Sequence, residues 1–286
     1  MTDTVFLNGD FLPADQACIS VLDRGFMFGD GVYEVIPVYG GRLFRLEHHL
    51  DRLDHSLAGI RLENPLPHSR WQDVLEELIK RNGGGDQSLY LQVTRGPARR
   101  DHAFPPVVNP TVFAMSSPLG APAPELRQGI SAVTLEDIRW KLCNIKAIAL
   151  LPNILLRQQA LDQGSAEAIM TRDGEVTEGA AANVFLVRNG TIVTPPKSNL
   201  LLPGITRDLV VELCARHGLP CKERPIDEAE LLDADELWVT SSTREVVPVT
   251  RLDGAPVGNG HPGPVWERMV ELYQAYKEAF RRGEVE

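Results

Sequence analysis

Hydrophobic and polar residues recur along the chain with periods that predict regular secondary structure. Apolar positions three or four residues apart predict one helix over about Leu46–Gly59 and a second over about Ser69–Arg81. Similar patterns predict further helices near Asn153–Gln163, Thr206–His217 and Val265–Arg281. Runs of β-branched, aromatic and other apolar residues predict strands at Val32–Tyr39, Leu89–Thr94 and Thr111–Met115.

Short turn motifs separate several of these runs. Asn8-Gly9 lies between two apolar stretches and predicts a hairpin near the start of the sequence. Three more hairpins are predicted at Asp173-Gly174, Asn189-Gly190 and Asp253-Gly254. Strands that are mixed with helices and joined by tight turns indicate an α/β protein of mixed α+β type with antiparallel pairing.

One stretch, from Ser116 to Pro124, is dense in proline, glycine and serine, as is typical of a linker. It predicts a first domain over residues 1–117, a linker over 118–124 and a second domain over 125–286.

Composition narrows the class of protein. The formal net charge of −10 and the isoelectric point of about 5.3 argue against nucleic acid or an anionic membrane as a partner. No apolar run approaches the roughly 18–20 residues of a membrane span, and the first residues do not resemble a secretion signal. The four cysteines, at positions 18, 143, 214 and 221, lack the spacing of a zinc site. We therefore expect a cytoplasmic protein with free thiols and no metal.

Only six of the 29 basic residues are lysines, and Lys146 lies among apolar neighbours. Low polarity weakens the proton affinity of an amine and makes it a usable nucleophile near neutral pH. The alternative is a lysine at the end of a buried strand that extends its charge to water. Lys141 is the rival nucleophile, although its neighbour Arg139 suggests a more solvated position. The other four, Lys277 included, are in polar or loop-like stretches.

Glu178 follows Lys146 by 32 residues and precedes a glycine and three alanines. A carboxylate beside a pyridine nitrogen keeps that nitrogen protonated, which is what pyridoxal 5'-phosphate (PLP) needs to act as an electron sink. Small neighbours allow a flat ring to approach the backbone. The alternative is a surface carboxylate in a turn.

A candidate phosphate site begins at Gly204, where Thr206 is the predicted N-cap residue of a helix. Free N–H groups and the dipole at a helix start attract anions, so Ile205 and Thr206 are candidates to hold a phosphate. An ordinary helix start is the alternative. Further candidates are Arg52 for the opposite charge and Ser241 and Ser242 for additional donors.

Arg100 and His102 are candidates to bind a substrate carboxylate. Residues two apart point the same way in extended chain, and a paired cation and imidazole suit a carboxylate. A solvated basic loop is the alternative. Tyr33, in the predicted strand Val32–Tyr39, is either a core residue or a phenol that lines a polar pocket.

Motifs spread over nearly the whole chain resemble those of fold-type IV PLP-dependent aminotransferases, and most closely those of D-amino acid aminotransferases. They are Asp23–Glu34, His49–Leu53, Gln92–Gly96, Glu136–Trp140, Asn144–Lys146, Thr177–Gly179, Asn183–Phe185, Gly204–Asp208 and Val239–Thr243. The resemblance implies a smaller N-terminal α/β domain and a larger C-terminal pseudo-barrel domain.

The resemblance also implies roles for the candidate residues. Lys146 would form the internal aldimine with PLP and move a proton between Cα and C4′, and Glu178 would face the pyridine nitrogen. The phosphate would be held by Arg52, Ile205, Thr206 and Ser242. Related enzymes are homodimers in which a tyrosine and an Arg-x-His loop, the loop coming from the partner subunit, trap the substrate carboxylate. The matching residues here are Tyr33, Arg100 and His102.

The expected activity is ping-pong transamination of D-amino acids with a 2-oxo acid such as 2-oxoglutarate or pyruvate. A branched-chain L-amino acid aminotransferase is the first alternative, although Arg100 and His102 argue against it because those sites tend to be apolar. Aminodeoxychorismate lyase and (R)-selective amine transaminase are further alternatives with this fold, and a non-catalytic PLP-binding protein is an alternative of another class.

Two departures from the family pattern bear on the site. Residues 180–182 are alanines where relatives often carry serines, and Arg244 stands where a smaller polar residue is expected. Arg244 either adds an anion contact that favours acidic substrates or points to solvent.

Overall fold

A computed structural model describes residues 3–120 and 124–285, which divide into two compact units. One unit comprises Met1–Gly120, Ile145–Leu150 and Phe280–Glu286, and the other comprises Ala121–Asn144 and Leu151–Ala279. Within the predicted linker 118–124, residue 118 ends a strand, residue 124 begins a helix, and 121–123 lie outside the described residues. The domain limits 1–117 and 125–286 stay a prediction.

The first unit is built on a six-stranded sheet with helices against it. Its elements are β1 (Thr4–Leu7), β2 (Asp10–Pro13), α1 (Arg24–Phe28), β3 (Gly31–Tyr39), β4 (Arg42–Leu43), α2 (Leu46–Gly59), α3 (His68–Arg81), β5 (Gln87–Thr94) and β6 (Thr111–Pro118). The strand order is β2-β1-β6-β5-β3-β4, and each neighbouring pair is antiparallel. Leucines spaced along α2 and Trp71 of α3 enter the same apolar core as the sheet. Ile145 and Ala147, which flank Lys146, pack against that core.

The second unit contains a nine-stranded sheet in its described residues. Its elements are α4 (Pro124–Gln128), β7 (Ile130–Glu136), α5 (Leu151–Asp162), β8 (Glu167–Arg172), β9 (Glu175–Gly179), β10 (Asn183–Arg188), β11 (Thr191–Thr194), α6 (Ile205–His217), β12 (Cys221–Glu223), β13 (Glu236–Ser241), β14 (Glu245–Leu252), β15 (Ala255–Pro256) and most of α7 (Pro264–Arg281). The order is β12-β11-β10-β13-β14-β7-β8-β9, and β15 pairs with β14.

The second sheet curls so that its end strand β9 returns to β10, the third strand from the other end. The amide of Gly179 in β9 donates to the carbonyl of Ala182 just before β10, at 2.6 Å. Apolar side chains from strands along the whole sheet fill one shared core. This arrangement confirms the mixed α/β class and agrees with a pseudo-barrel.

All four predicted hairpins are confirmed. At each turn both central residues have positive φ, for example 55° at Asp173 and 81° at Gly174. Two-residue hairpin turns of this type need positive φ at both positions, which Asn-Gly and Asp-Gly tolerate best. The predicted helices are also confirmed, with ends that differ by at most two residues.

Lys277, which the sequence placed in a polar or loop-like stretch, lies on a helix and is buried. Its side chain lies on α7, is 7% exposed, and donates from Nζ to Glu245 Oε1 at 2.6 Å. A buried lysine requires such a partner because an isolated charge in a core is costly.

None of the helices in the described ranges combines the length and the apolar character needed to cross a bilayer.

Candidate active site

The predicted site residues divide between the two units. The first unit carries Tyr33, Arg52, Arg100, His102 and Lys146, and the second carries Glu178, Ile205, Thr206, Ser241 and Ser242. Within each unit, neighbouring residues hold the site residues in place through their own hydrogen bonds and packing contacts.

Lys146 lies in an irregular segment that is fastened to β3 by its main chain. Its carbonyl accepts from the Tyr33 amide at 3.0 Å, and its amide donates to Ser56 Oγ at 3.1 Å. Its side chain is half-buried, with Nζ 4.2 Å from the centre of the Tyr33 ring. Lys141, the rival, is exposed. The apolar flanks therefore fix the backbone of Lys146 and leave its amine over an aromatic face.

Tyr33 is half-buried and stacks on Tyr90, with ring centres 5.5 Å apart. Burial, together with the nearby Tyr33, raises the pKa of Tyr90 to about 12. The Tyr90 hydroxyl donates to Gln92 Oε1 at 2.7 Å. Tyr33 of β3 therefore packs against the neutral phenol of Tyr90 in β5. The residue pattern of β3 alone did not reveal this contact between strands.

Arg52 is held by a buried carboxylate. Its Nε and Nη2 donate to the two oxygens of Glu34, each at 2.7 Å, and His49 Nδ1 lies 2.7 Å from Glu34 Oε2. Burial alone would raise the pKa of Glu34, but the Arg52 charge and these hydrogen bonds lower it to about 2. Burial also lowers the pKa of His49, which favours its neutral form. The two-point grip fixes the plane of the Arg52 guanidinium group.

Arg100 and His102 are exposed and converge on one ring. The Arg100 guanidinium carbon lies 5.5 Å from the centre of the Phe28 ring, and the His102 ring centre lies 5.6 Å from it. The structure therefore brings this predicted pair together at the end of α1. Phe28 was not singled out from the sequence.

Glu178 is a buried strand residue, so the alternative of a surface turn carboxylate is wrong. It lies in β9 and is 5% exposed. One oxygen accepts from Arg139 Nη1, and the other accepts from Asn183 Nδ2 at 3.2 Å and from the Leu202 amide at 3.1 Å. Burial raises the pKa of Glu178 despite the nearby Arg139 charge.

Arg139 and Asn183 are the two supporting residues that sequence reasoning missed. Arg139 is also gripped by Asp137, through Nε at 2.9 Å and Nη2 at 2.8 Å. Asn183 donates to the Leu202 carbonyl at 2.8 Å as well as to Glu178. Both residues occur in motifs shared with the family, and that was the only signal for them in the sequence.

The helix α6 begins one residue earlier than predicted, and Thr206 is not its N-cap. Gly204 is the N-cap residue, without a side-chain cap hydrogen bond, and Ile205 is the first helical residue. A Cβ on Gly204 would lie 2.0 Å from Asn183 Oδ1, so any other residue there would push the Asn183 side chain, which donates to Glu178 and to the Leu202 carbonyl. The first amides of α6 are therefore the donors that an anion would meet.

Ser241 ends β13, and the chain turns through Ser242 into β14 at Glu245. Glu245 has a φ of +61° and accepts from Lys277 of α7, which fixes the turn. Arg244 donates to Glu167, a fully buried carboxylate, and its side chain is only 23% exposed, so the alternative that it simply points to solvent is wrong.

Two of the alanines at 180–182 belong to the packing around β9 and β10. Ala180 and Ala182 are buried, and Ala181 is exposed. The Ala180 carbonyl accepts from Asn153 Nδ2 at 2.8 Å, so its backbone is anchored without a side-chain hydroxyl. Cys143 is also buried, and burial raises the pKa of its thiol, which suits a packing role. In the described parts of the chain, His, Cys, Asp and Glu do not assemble into a cluster that could hold a metal ion.

Comparison with known proteins identifies the class. The sequence profile of the amino-transferase class IV family matches residues 31–252. The chain is 42% identical over 270 residues to a D-alanine aminotransferase from Bacillus licheniformis, which covers 94% of this chain and 95% of that protein. It is 40% identical over 276 residues to a D-alanine aminotransferase from Staphylococcus haemolyticus, which covers 96% of this chain and 98% of that one. The chain therefore belongs to the class IV aminotransferases.

Solved structures confirm the predicted fold. A branched-chain amino acid aminotransferase from Escherichia coli matches with a TM-score of 0.92 and 28% identity, over 100% of this chain and 97% of that one. A branched-chain amino acid aminotransferase from T.th., solved with pyridoxamine 5'-phosphate, matches with a TM-score of 0.92 and 27% identity, over 99% and 97%.

Proposed function

We propose that this chain is a PLP-dependent transaminase that moves the amino group of D-amino acids to a 2-oxo acid such as 2-oxoglutarate or pyruvate. One observation carries the substrate class: Arg100 and His102 are exposed and converge on Phe28, where they offer a fixed cation and an imidazole to a carboxylate. The D configuration is supported by identity to D-alanine aminotransferases over nearly the whole chain.

The donor set fits PLP. Glu178 is a buried acid whose second oxygen is shared by an amide side chain and a backbone amide, and its charge is balanced by Arg139. The start of α6 has no side-chain cap, and at Gly204 it approaches the Asn183 side chain closely. When bound, PLP supplies an aldehyde that captures an amino group and a ring that withdraws electrons from Cα.

The chain's own residues would then have distinct tasks. Lys146 would hold the cofactor through its amine and would accept and return the substrate proton at Nζ. Glu178 would keep the pyridine nitrogen protonated. The phosphate would be held by Arg52, Ile205, Thr206, Ser241 and Ser242. Tyr33, with Arg100 and His102, would orient the substrate carboxylate.

A homodimer is part of the proposal. On α5, Leu151, Ile154 and Leu155 share a helical spacing and are 65%, 59% and 53% exposed. An apolar stripe of this kind on a helix is typical of a contact surface. In the dimer, Arg100 and His102 would reach the neighbouring subunit's site. A cytoplasmic location is supported by the free thiols of all four cysteines.

A branched-chain L-amino acid aminotransferase is the competing function, because solved enzymes with that name share the fold. Steady-state assays with 2-oxoglutarate separate the two. We expect pyruvate to form from D-alanine, and only weak turnover of L-leucine. Efficient turnover of L-leucine without activity on D-alanine would overturn the proposal.

A further inference from the structure

Two buried arginines of the first unit share one carboxylate. Arg24 is 3% exposed and Arg95 is 2% exposed. Asp30 Oδ2 accepts from Arg24 Nε at 2.7 Å and from Arg95 Nε at 2.8 Å, and Asp30 Oδ1 accepts from Arg95 Nη2 at 3.0 Å. The Arg24 charge is therefore partly balanced inside the protein and is not exposed to a substrate.

The other arm of Arg24 reaches the loop that carries the predicted carboxylate ligands. Arg24 Nη1 donates to the carbonyl of Asp101 at 2.6 Å and to the carbonyl of Ala103 at 3.3 Å. The Asp101 carbonyl lies between Arg100 and His102 in the chain, and the Ala103 carbonyl directly follows His102. One guanidinium nitrogen thus holds the main chain on both sides of His102.

Neighbouring contacts hold the same loop. The Arg95 guanidinium carbon lies 3.8 Å from the centre of the Phe104 ring, and Arg95 Nη2 donates to the Ile60 carbonyl at 2.7 Å. The Phe28 ring, on which Arg100 and His102 converge, lies 4.9 Å from the Arg24 guanidinium carbon. Arg24 therefore contacts the loop and also the ring beneath its ligands.

The backbone of Arg24 is itself fixed. Asp23 caps α1 by accepting from the Gly25 amide at 2.7 Å, and the Arg24 amide donates to the Gly96 carbonyl at 3.0 Å. A Cβ on Gly25 would lie 2.3 Å from Thr94 Cγ2, so the helix start packs directly on β5. The guanidinium group thus projects from a rigid base.

We infer that Arg24 is a positioning residue that orders the loop at residues 100–104 and thereby sets the preference for amino acids over simple amines. This inference rests on the proposed function, since Arg100 and His102 matter only if they bind a substrate carboxylate. A fixed pair of ligands binds a carboxylate without first losing the conformational entropy of a mobile loop. A simple amine has no carboxylate, so the ordered loop does not improve its binding.

The test is Arg24→Lys, with Arg70→Lys as the matched control on the exposed face of α3. A lysine can pair with Asp30 but lacks the planar fork that also reaches two carbonyls. We expect the ratio of kcat/KM for D-alanine to kcat/KM for (R)-1-phenylethylamine to fall about tenfold, mainly through KM for D-alanine. Amides 101–104 should also exchange with deuterium faster, while Arg70→Lys changes neither.

A variant that lacks both ligands shows whether Arg24 acts through them. In an Arg100→Ala/His102→Ala background, Arg24→Lys should have little further effect on KM for D-alanine, because the ligands that it positions are gone. Fully additive effects would overturn the inference, as would an unchanged ratio and unchanged exchange in the single variant. Folding is checked by the melting temperature.

Two outcomes separate this inference from the proposed function. Wild-type enzyme without activity on D-alanine would overturn both the proposed function and the selectivity claim. Normal D-alanine turnover with no change in Arg24→Lys would overturn the inference alone. If Arg24→Lys does not fold, the wild-type protein still decides. The Ala103 amide, which donates to Asp101 Oδ1 at 3.1 Å inside the loop held by Arg24, must exchange more slowly than amides 107–109, and equal rates would contradict the ordering of the loop.

Discussion

The Glu178 carboxylate accepts a hydrogen bond from the Arg139 guanidinium group, and both side chains are almost completely buried. Asp137 grips Arg139 from the other side, so the cation is shared between two carboxylates. Burial raises the pKa of Glu178 and the Arg139 charge opposes that rise. The Arg139 charge therefore sets the pH range in which the Glu178 carboxyl group is ionised.

We expect Arg139→Met to raise the pKa of Glu178 further, because burial would act without the opposing charge. Glu178 would then stay protonated to a higher pH than in the wild type, so kcat should fall at a given pH and partly recover as the pH rises. Arg139→Lys keeps a charge and should shift the profile less. The pH profile of kcat checks this, and identical profiles for the two variants would contradict it.

The triad of Glu34, His49 and Arg52 predicts sensitivity to acid. The pKa of Glu34 is lowered from 4.5 to about 2, so its contribution to stability is complete above pH 4.5 and is lost as the pH falls toward 2. The whole effect corresponds to about 3 kcal/mol of unfolding free energy. Glu34→Gln should remove this part of the pH dependence and lower stability at neutral pH.

Urea unfolding at a series of pH values measures the effect of Glu34→Gln. Glu63→Gln, at an exposed position, is the control and should leave the pH dependence as in the wild type. If the wild type and Glu34→Gln lose stability in parallel below pH 4.5, Glu34 is not the responsible group.

Lys146→Ala should abolish turnover, because no other amine would hold the cofactor or move the substrate proton. Lys141→Ala is a close control, since Lys141 is exposed and only five residues away. Borohydride reduction of the PLP-loaded enzyme, followed by peptide mass spectrometry, should find the cofactor on Lys146. Label on Lys141, or normal turnover by Lys146→Ala, would contradict the assignment.

Arg100→Ala should raise KM for D-amino acids by about tenfold or more and change KM for simple amines little, since a charge-assisted hydrogen bond is lost only with a carboxylate. Arg99→Ala removes a charge next to it in the chain and is the control. The comparison needs initial rates with D-alanine and an (R)-amine. Equal losses on both substrates would show that Arg100 does not recognise the carboxylate.

Local sequence patterns predicted the elements well because hairpins and amphipathic helices depend on neighbouring residues. Asn8-Gly9 and Asp173-Gly174 adopt the positive φ values that their turns need. The N-cap at Gly204 was missed because its close approach to Asn183 is a tertiary contact. Local spacing carries no information about such contacts.

The same limit applies to the site. The apolar flanks of Lys146 predicted its importance, and the structure fastens its main chain to Tyr33 of β3; the role of its amine stays a prediction. Arg139 and Glu178 are 39 positions apart, and Lys277 and Glu245 are 32 apart, so neither pair can be read from spacing. Arg139 lies in the family motif Glu136–Trp140, but the motif does not indicate which side chains Arg139 contacts.

Transamination of D-amino acids by this enzyme is tested by the half-reaction in the absence of a 2-oxo acid. The absorbance band of the lysine-bound cofactor is followed after D-alanine, L-alanine or L-leucine is added to the PLP-loaded enzyme. We predict that only D-alanine removes the band, that one pyruvate forms per active site, and that adding 2-oxoglutarate restores it. Loss of the band with L-leucine but not with D-alanine would contradict the claim.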